Sequence, residues 1–160
     1  MESIDQFLLL NKSNKVNIAV IGDTVIDEFY NVSVTRISPE FPTQIMHSND
    51  WHPVTVMPGG AANVCLQMSN GFNVNCYLVS FTDQYGMKTI SKQPFNSDYC
   101  VVLKGKDSPH MPLKRRFYDG DYPLPRWDIE SENYGLTQTQ LEYFQDELLE
   151  NIKNLITNNK

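Results

Sequence analysis

The stretch Val56-Met57-Pro58-Gly59-Gly60-Ala61-Ala62-Asn63-Val64-Cys65-Leu66-Gln67-Met68 sets a proline and two glycines directly before a run of helix formers. Glycines permit a sharp turn and a close approach of backbone. The amides that open the following helix have no acceptors within it, so they can bind a hydroxyl or an anion. Asn63 falls in that first turn and carries both a donor and an acceptor. A plain turn accounts for Pro58, Gly59 and Gly60 but not for Asn63. A polyol, whose paired hydroxyls need mixed partners, accounts for both. The helix is expected over residues 61–70, with Gly71 as a left-handed glycine just past its end.

Upstream, Val16-Asn17-Ile18-Ala19-Val20-Ile21 is a short apolar run that ends at Gly22. It reads as a strand buried on both faces, the pattern of a parallel sheet. Gly22-Asp23 then lies where α/β folds place ligands, beyond the carboxyl end of a strand. Asp27 follows four residues later, and either carboxylate can accept hydrogen bonds from neighbouring hydroxyls. The same residues also fit a glycine turn with a capping Asn and two solvated aspartates. Spacing alone leaves both readings open.

Working outward, residues 29–34 are β-prone and predict a second strand. Pro39 and Pro42 exclude regular helix from Arg36-Ile37-Ser38-Pro39-Glu40-Phe41-Pro42. Residues 43–56 read as exposed strands or a flap. Strands are expected at 74–80 and 98–103, a loop at 82–86, and a short helix from Met87 that Pro94 cuts off. Residues 114–118 and 124–129 form a predicted hairpin around Asp119-Gly120-Asp121. Thr137 and Gln140 fit a capping box. After them Leu141, Phe144, Leu148, Leu149, Ile152, Leu155 and Ile156 recur at helical spacing, so this helix needs a partner surface.

The chain of 160 residues suits one domain. Its net charge of −6 argues against nucleic acid as a partner. Within that acidic balance Lys104, Lys106, Lys114, Arg115 and Arg116 form a local basic run. Cys65, Cys76 and Cys100 are odd in number and lack metal-ligand spacing, as expected of small apolar residues in a reducing compartment. Phe7-Leu8-Leu9-Leu10 is too short for a secretory core, and no run approaches a membrane span. The glycosylation patterns at Asn11 and Asn31 are read as chance. A soluble, cytoplasmic protein with no membrane partner is expected.

Three stretches in order carry a family resemblance: Gly22-Asp23-Thr24-Val25-Ile26-Asp27, Arg36-Ile37-Ser38-Pro39-Glu40-Phe41-Pro42 and Pro58-Gly59-Gly60-Ala61-Ala62-Asn63-Val64. The series resembles the ribokinase-like (PfkB) carbohydrate kinases. Among them it is most similar to the heptose 7-phosphate kinases, whose R-I-S-P-E-x-P element is the specific part. Lys114-Arg115-Arg116 and Arg126-Trp127-Asp128-Ile129-Glu130 resemble that group's T-K-x-R-V and L-R-x-D-x-E segment. The likeness runs over about residues 16 to 130.

The resemblance implies an incomplete α/β three-layer sandwich with a small β-sheet lid near residues 29–34, 45–56 and 114–129. The whole chain would be the single, N-terminal, sugar-binding half of such a kinase. Asp27, Gly59, Gly60 and Asn63 would hold the sugar hydroxyls, with Asp23 next in line. Arg36 would approach the substrate, and Lys114 and Arg116 would neutralise a sugar phosphate. ATP and Mg²⁺ are the implied cofactors. A homodimer through the lid strands, or a complex with a chain supplying the other half, is the implied assembly.

Departures accompany the likeness. Phe81-Thr82 stands where the family places Gly-Asp before the next Asp, Leu113 where it places Thr, and Asp27-Glu28-Phe29-Tyr30 replaces Asp-Arg-Tyr. The G-A-G-D motif, whose Asp is the family's general base and whose amides cradle the transferring phosphate, does not occur in these residues, nor does H-x-G-H. The expectation is a sugar-phosphate binder that does not catalyse alone. The alternative is a non-catalytic binding or oligomerisation module.

Overall fold

The computed structural model describes residues 15–103, 111–130 and 132–158. Phe7 to Leu10, Asn11, Lys104 and Lys106 lie outside them. In chain order come β1 (Val16–Ile21), β2 (Thr24–Asn31), β3 (Ser33–Ile37), β4 (Gln44–His47), β5 (Thr55–Gly59) and helix α1 (Gly60–Gly71). There follow β6 (Val74–Val79), β7 (Phe81–Thr82), α2 (Gln84–Ile90), β8 (Val101–Val102), β9 (Leu113–Asp119), β10 (Tyr122–Pro123), β11 (Trp127–Ile129) and α3 (Gln138–Asn158).

β1 and β6 pair in parallel from Val16 beside Val74 to Ile21 beside Val79. β7 continues the line and pairs in parallel with β8. α1 packs on this sheet through Ala62 and Cys65, which meet Val74, Cys76 and Leu78 in one buried cluster. All three cysteines sit in that cluster without a disulfide, as small apolar residues. Burial there pushes the Cys100 thiol up to about 12. A second cluster joins Phe81, Val101 and Leu103 to Phe144 of α3, with Leu141 and Leu148 packed against it.

The expectation that β1 is buried on both faces is wrong. Ile18 and Val20 pack toward the cluster under α1, but Val16 is 38% and Ile21 57% exposed. Among the described residues β6 is β1's sole pairing strand, and Asn17, Ala19 and Ile21 on its other face are exposed.

Two helix boundaries also differ. Gly71 is still helical, with no left-handed φ. Extended Phe72 closes α1 by donating its amide to the Met68 carbonyl at 3.0 Å. β6 starts two residues later, so the chain leaves straight and needs no left-handed turn. Residues 82–86 are not a loop: Asp83 caps α2, accepting from the Gly86 amide at 2.6 Å. Its other oxygen accepts from the Met111 amide at 3.2 Å. An Asp before a short helix is an ordinary start signal. The expected strand at 98–103 shrinks to Val101–Val102. The capping box is present, since the Thr137 amide donates to Gln140 Oε1 at 3.0 Å and the Gln140 amide to Thr137 Oγ1 at 3.4 Å.

The second sheet has the order β10-β9-β2-β5, with β11 also on β9. β2 runs parallel to β9 and antiparallel to β5. The hairpin turns at Gly120, whose φ of 58° is left-handed. Its second arm is split into β10 and β11 across Pro123 and Pro125, which have no amide to offer a ladder. β3 and β4 form a separate ribbon with an irregularity between Val34 and Arg36.

Candidate functional site

Asp27 lies inside β2, not in a loop, and strand alternation decides what it faces. Phe29 shares its face, and the register brings Arg116 of β9 beside Phe29. These three, with Tyr118, Met57 and Asn63, line a cavity of about 320 Å³ between the second sheet and the start of α1. Arg116 donates from Nε to Asp27 Oδ1 at 2.8 Å, and its Nη2 forms an ion pair with the same oxygen at 2.8 Å. Its guanidinium carbon sits 5.9 Å from the centre of the Phe29 ring. Phe29 and Tyr118 stack with centroids 6.2 Å apart. The cavity thus has an aromatic wall, one hydrogen-bonded charge pair and one amide.

The glycines explain how the sheet and helix come so close. A Cβ on Gly59 would lie 2.5 Å from Asp27 Oδ2. A Cβ on Gly60 would lie 2.3 Å from the Asp23 carbonyl oxygen, and Gly60 has a φ of 57°. That carbonyl accepts the Ala61 amide at 2.9 Å, which ties the end of β1 to the start of α1. Asn63 Oδ1 accepts from Gln67 Nε2 at 3.3 Å.

The other expected residues are placed differently. The Asp23 carboxylate is exposed and accepts from the Tyr134 hydroxyl, away from the Asp27 cavity. Arg36 is exposed on β3 and does not line the cavity. Lys114 pairs in register with Asp27 and belongs to the same sheet face, but it does not line the cavity either. Arg115 faces the opposite way. Among the described residues of the basic run, alternation divides Arg115 from Arg116, and each has its own carboxylate.

No protein-family model matches the chain. Its curated relatives include bifunctional protein HldE of a Marinomonas strain, 38% identical over 132 residues, 82% of this chain and 27% of that protein. HldE of Hyphomonas neptunium is 32% identical over 130 residues, 77% of this chain and 25% of that protein. The chain thus spans about a quarter of the length of these relatives. Among solved structures, the nucleoside kinase of Methanocaldococcus jannaschii, an archaeal member of the ribokinase family, superposes with a TM-score of 0.51 at 18% identity. That match covers 71% of this chain and 36% of the kinase. The chain is ribokinase-like in fold and HldE-like in sequence.

On the reverse face of the second sheet this ribokinase-like chain carries a network that sequence reasoning missed. Glu28, 5% exposed, accepts from Tyr85 at 2.7 Å on one oxygen. Its other oxygen accepts from Tyr30 at 2.8 Å and from Arg115 Nε at 3.0 Å. Arg115 also lies 5.1 Å from the centre of the Trp127 ring. The one available signal was the departure at Glu28 together with Arg115, 87 residues away in sequence but beside it in register.

Burial alone would push the Glu28 carboxyl up. The bonds from Tyr85, Tyr30 and Arg115, with the Arg115 charge, outweigh it and hold the carboxyl below its ordinary value. A depressed carboxyl stabilises the fold above its unfolded pKa of about 4.5. That contribution is lost as pH falls through the lower, folded value. The melting temperature of the wild type should therefore drop below pH 4.5 more steeply than that of Glu28→Gln. Parallel acid profiles would show that Glu28 has no linked role.

Proposed function

We propose that the cavity between Asp27, Arg116 and Asn63 binds a sugar phosphate, as the sugar-side half of a kinase of the heptose 7-phosphate type. The carrying observation is the convergence of a carboxylate from β2 and an amide from α1 on one aromatic-walled cavity. Asp27 Oδ2 is left to accept from ring hydroxyls, while Asn63 offers a donor and an acceptor. Arg116 is the group suited to a phosphate, because its planar fork matches phosphate oxygens. Phe29 and Tyr118 would cover the apolar face of a sugar ring. Lys114, on the same sheet face, would add charge at the rim. Gly59 and Gly60 contribute by their lack of side chains.

ATP and Mg²⁺ belong to this reading through the family likeness. Among the described residues no group of three or more His, Cys, Asp or Glu could hold a metal ion, and G-A-G-D does not occur in the 160 residues. No transfer step is assigned to these residues. Their work is binding and orientation.

The second reading is a non-catalytic binding or oligomerisation module. Large apolar side chains exposed on the β3–β4 ribbon and its flanks favour it: Ile37, Phe41, Met46, Trp51 and Val54. A homodimer through this region, or a complex with a chain that supplies a catalytic base, would cover them.

Isothermal titration of the 160-residue chain with a heptose 7-phosphate tests the first reading. Saturable heat at one site per chain is expected, with no phosphotransfer when ATP and Mg²⁺ are added. No heat, together with a dimer by light scattering, would favour the oligomerisation module. Appreciable turnover would refute the division of labour proposed above.

A further inference from the structure

The two faces of the second sheet are linked through two neighbouring positions. Glu28 follows Asp27 on β2, and Arg115 precedes Arg116 on β9. Glu28 and Arg115 are register partners in the parallel pair and are also an ion pair. Any slip of β2 along β9 would break that bond and move Asp27 relative to Arg116. The network also leaves the sheet. Tyr85 belongs to α2, whose Ile90 is fully buried in the α1–β6 cluster and whose cap holds Met111. The bond from Tyr85 to Glu28 therefore fastens the second sheet to the body of the protein. Tyr30 bonds the same carboxylate from within β2 and makes no such link.

We infer that Tyr85 and Glu28 are positioning residues, a brace from α2 through β2 to β9 that sets Asp27 and Arg116 against Asn63. This rests on the polyol reading of the cavity. The brace touches no ligand. It limits the freedom the sheet would otherwise lose on binding, and a preorganised site binds more tightly for that reason. It also accounts for the departure from Asp-Arg-Tyr at Glu28: the acid is the hub on which two tyrosines and Arg115 converge.

The test compares Tyr85→Phe with Tyr30→Phe in the full chain. Each removes one hydroxyl bond to the same carboxylate, but only the first crosses to α2. Affinity for a heptose 7-phosphate is read by titration, and amide hydrogen exchange of β2 and β9 is read without ligand. Tyr85→Phe is expected to bind about ten-fold more weakly, the loss of one hydrogen bond to a charged group. Its β2 and β9 amides should exchange faster, while Tyr30→Phe stays near wild type in both readouts. Equal effects of the two variants, or wild-type affinity in Tyr85→Phe, would overturn the brace. If the wild type binds no heptose phosphate, selective fast exchange in Tyr85→Phe keeps the brace and removes the polyol reading. Unchanged exchange in that case overturns the brace as well.

Discussion

Gly60→Ala is expected to destabilise the fold by about 3 kcal/mol, the largest loss for any one-methyl change at a described glycine. Two causes add. Gly60 has a φ of 57°, a conformation that costs a side-chain-bearing residue about 1–2 kcal/mol. The new methyl would also stand 2.3 Å from the Asp23 carbonyl oxygen and 3.3 Å from Val25 Cγ2. The first contact is with backbone, which cannot rotate away, and relieving it strains the bond from the Ala61 amide. Two controls separate the causes. Gly120 has a φ of 58° but open space around it, so Gly120→Ala should cost about 1 kcal/mol. Gly71 has neither strain nor neighbours, so Gly71→Ala should stabilise slightly, by up to about 1 kcal/mol. Urea unfolding of the three variants measures the order. If Gly60→Ala matched Gly120→Ala, the close approach of β1 and α1 would be wrong.

Asp27→Asn should weaken binding of a heptose 7-phosphate about a hundred-fold while costing the fold only about 1 kcal/mol. The asymmetry follows from placement. The Asp27 and Arg116 side chains are 16% and 31% exposed, so solvent still screens their pair and its net worth to the fold is small. In the complex the ligand displaces that water. The carboxylate then provides charge-assisted bonds to the ring hydroxyls, which the neutral amide of Asn replaces with weaker ones. Arg116→Lys keeps the charge but loses the fork, and about a ten-fold weakening is expected. Binding by Asp27→Asn at wild-type strength would remove Asp27 from the site.

What could be read from sequence was local chemistry. The Gly59-Gly60 turn into α1, the capping box at Thr137 and the turn at Gly120 each follow from residue types a few positions apart. The joint placement of Asp27 and Asn63 on one cavity followed from the ordered motifs. The failures share a different cause. Burial of β1 depends on which layers cover it, and an apolar run does not carry that information. Arg115 and Arg116 look like one patch until strand alternation puts them on opposite faces. Arg36 on β3 and Asp23, whose carboxylate accepts from Tyr134, sit in motif stretches but do not line the cavity, which tests nothing of their approach to a substrate. Glu28 was visible as a departure, but its meaning required Tyr85, 57 residues on. The Asp83 cap was legible and passed over, because a helix of seven residues has too little periodicity to announce itself.

The most direct measurement is a diffraction structure of the chain crystallised with a saturating heptose 7-phosphate. Density is expected between the second sheet and α1, with sugar hydroxyls bonded to Asp27 Oδ2 and the Asn63 amide and the phosphate on Arg116. An empty cavity at saturation, or a sugar phosphate bound only elsewhere on the chain, would contradict the sugar-side assignment.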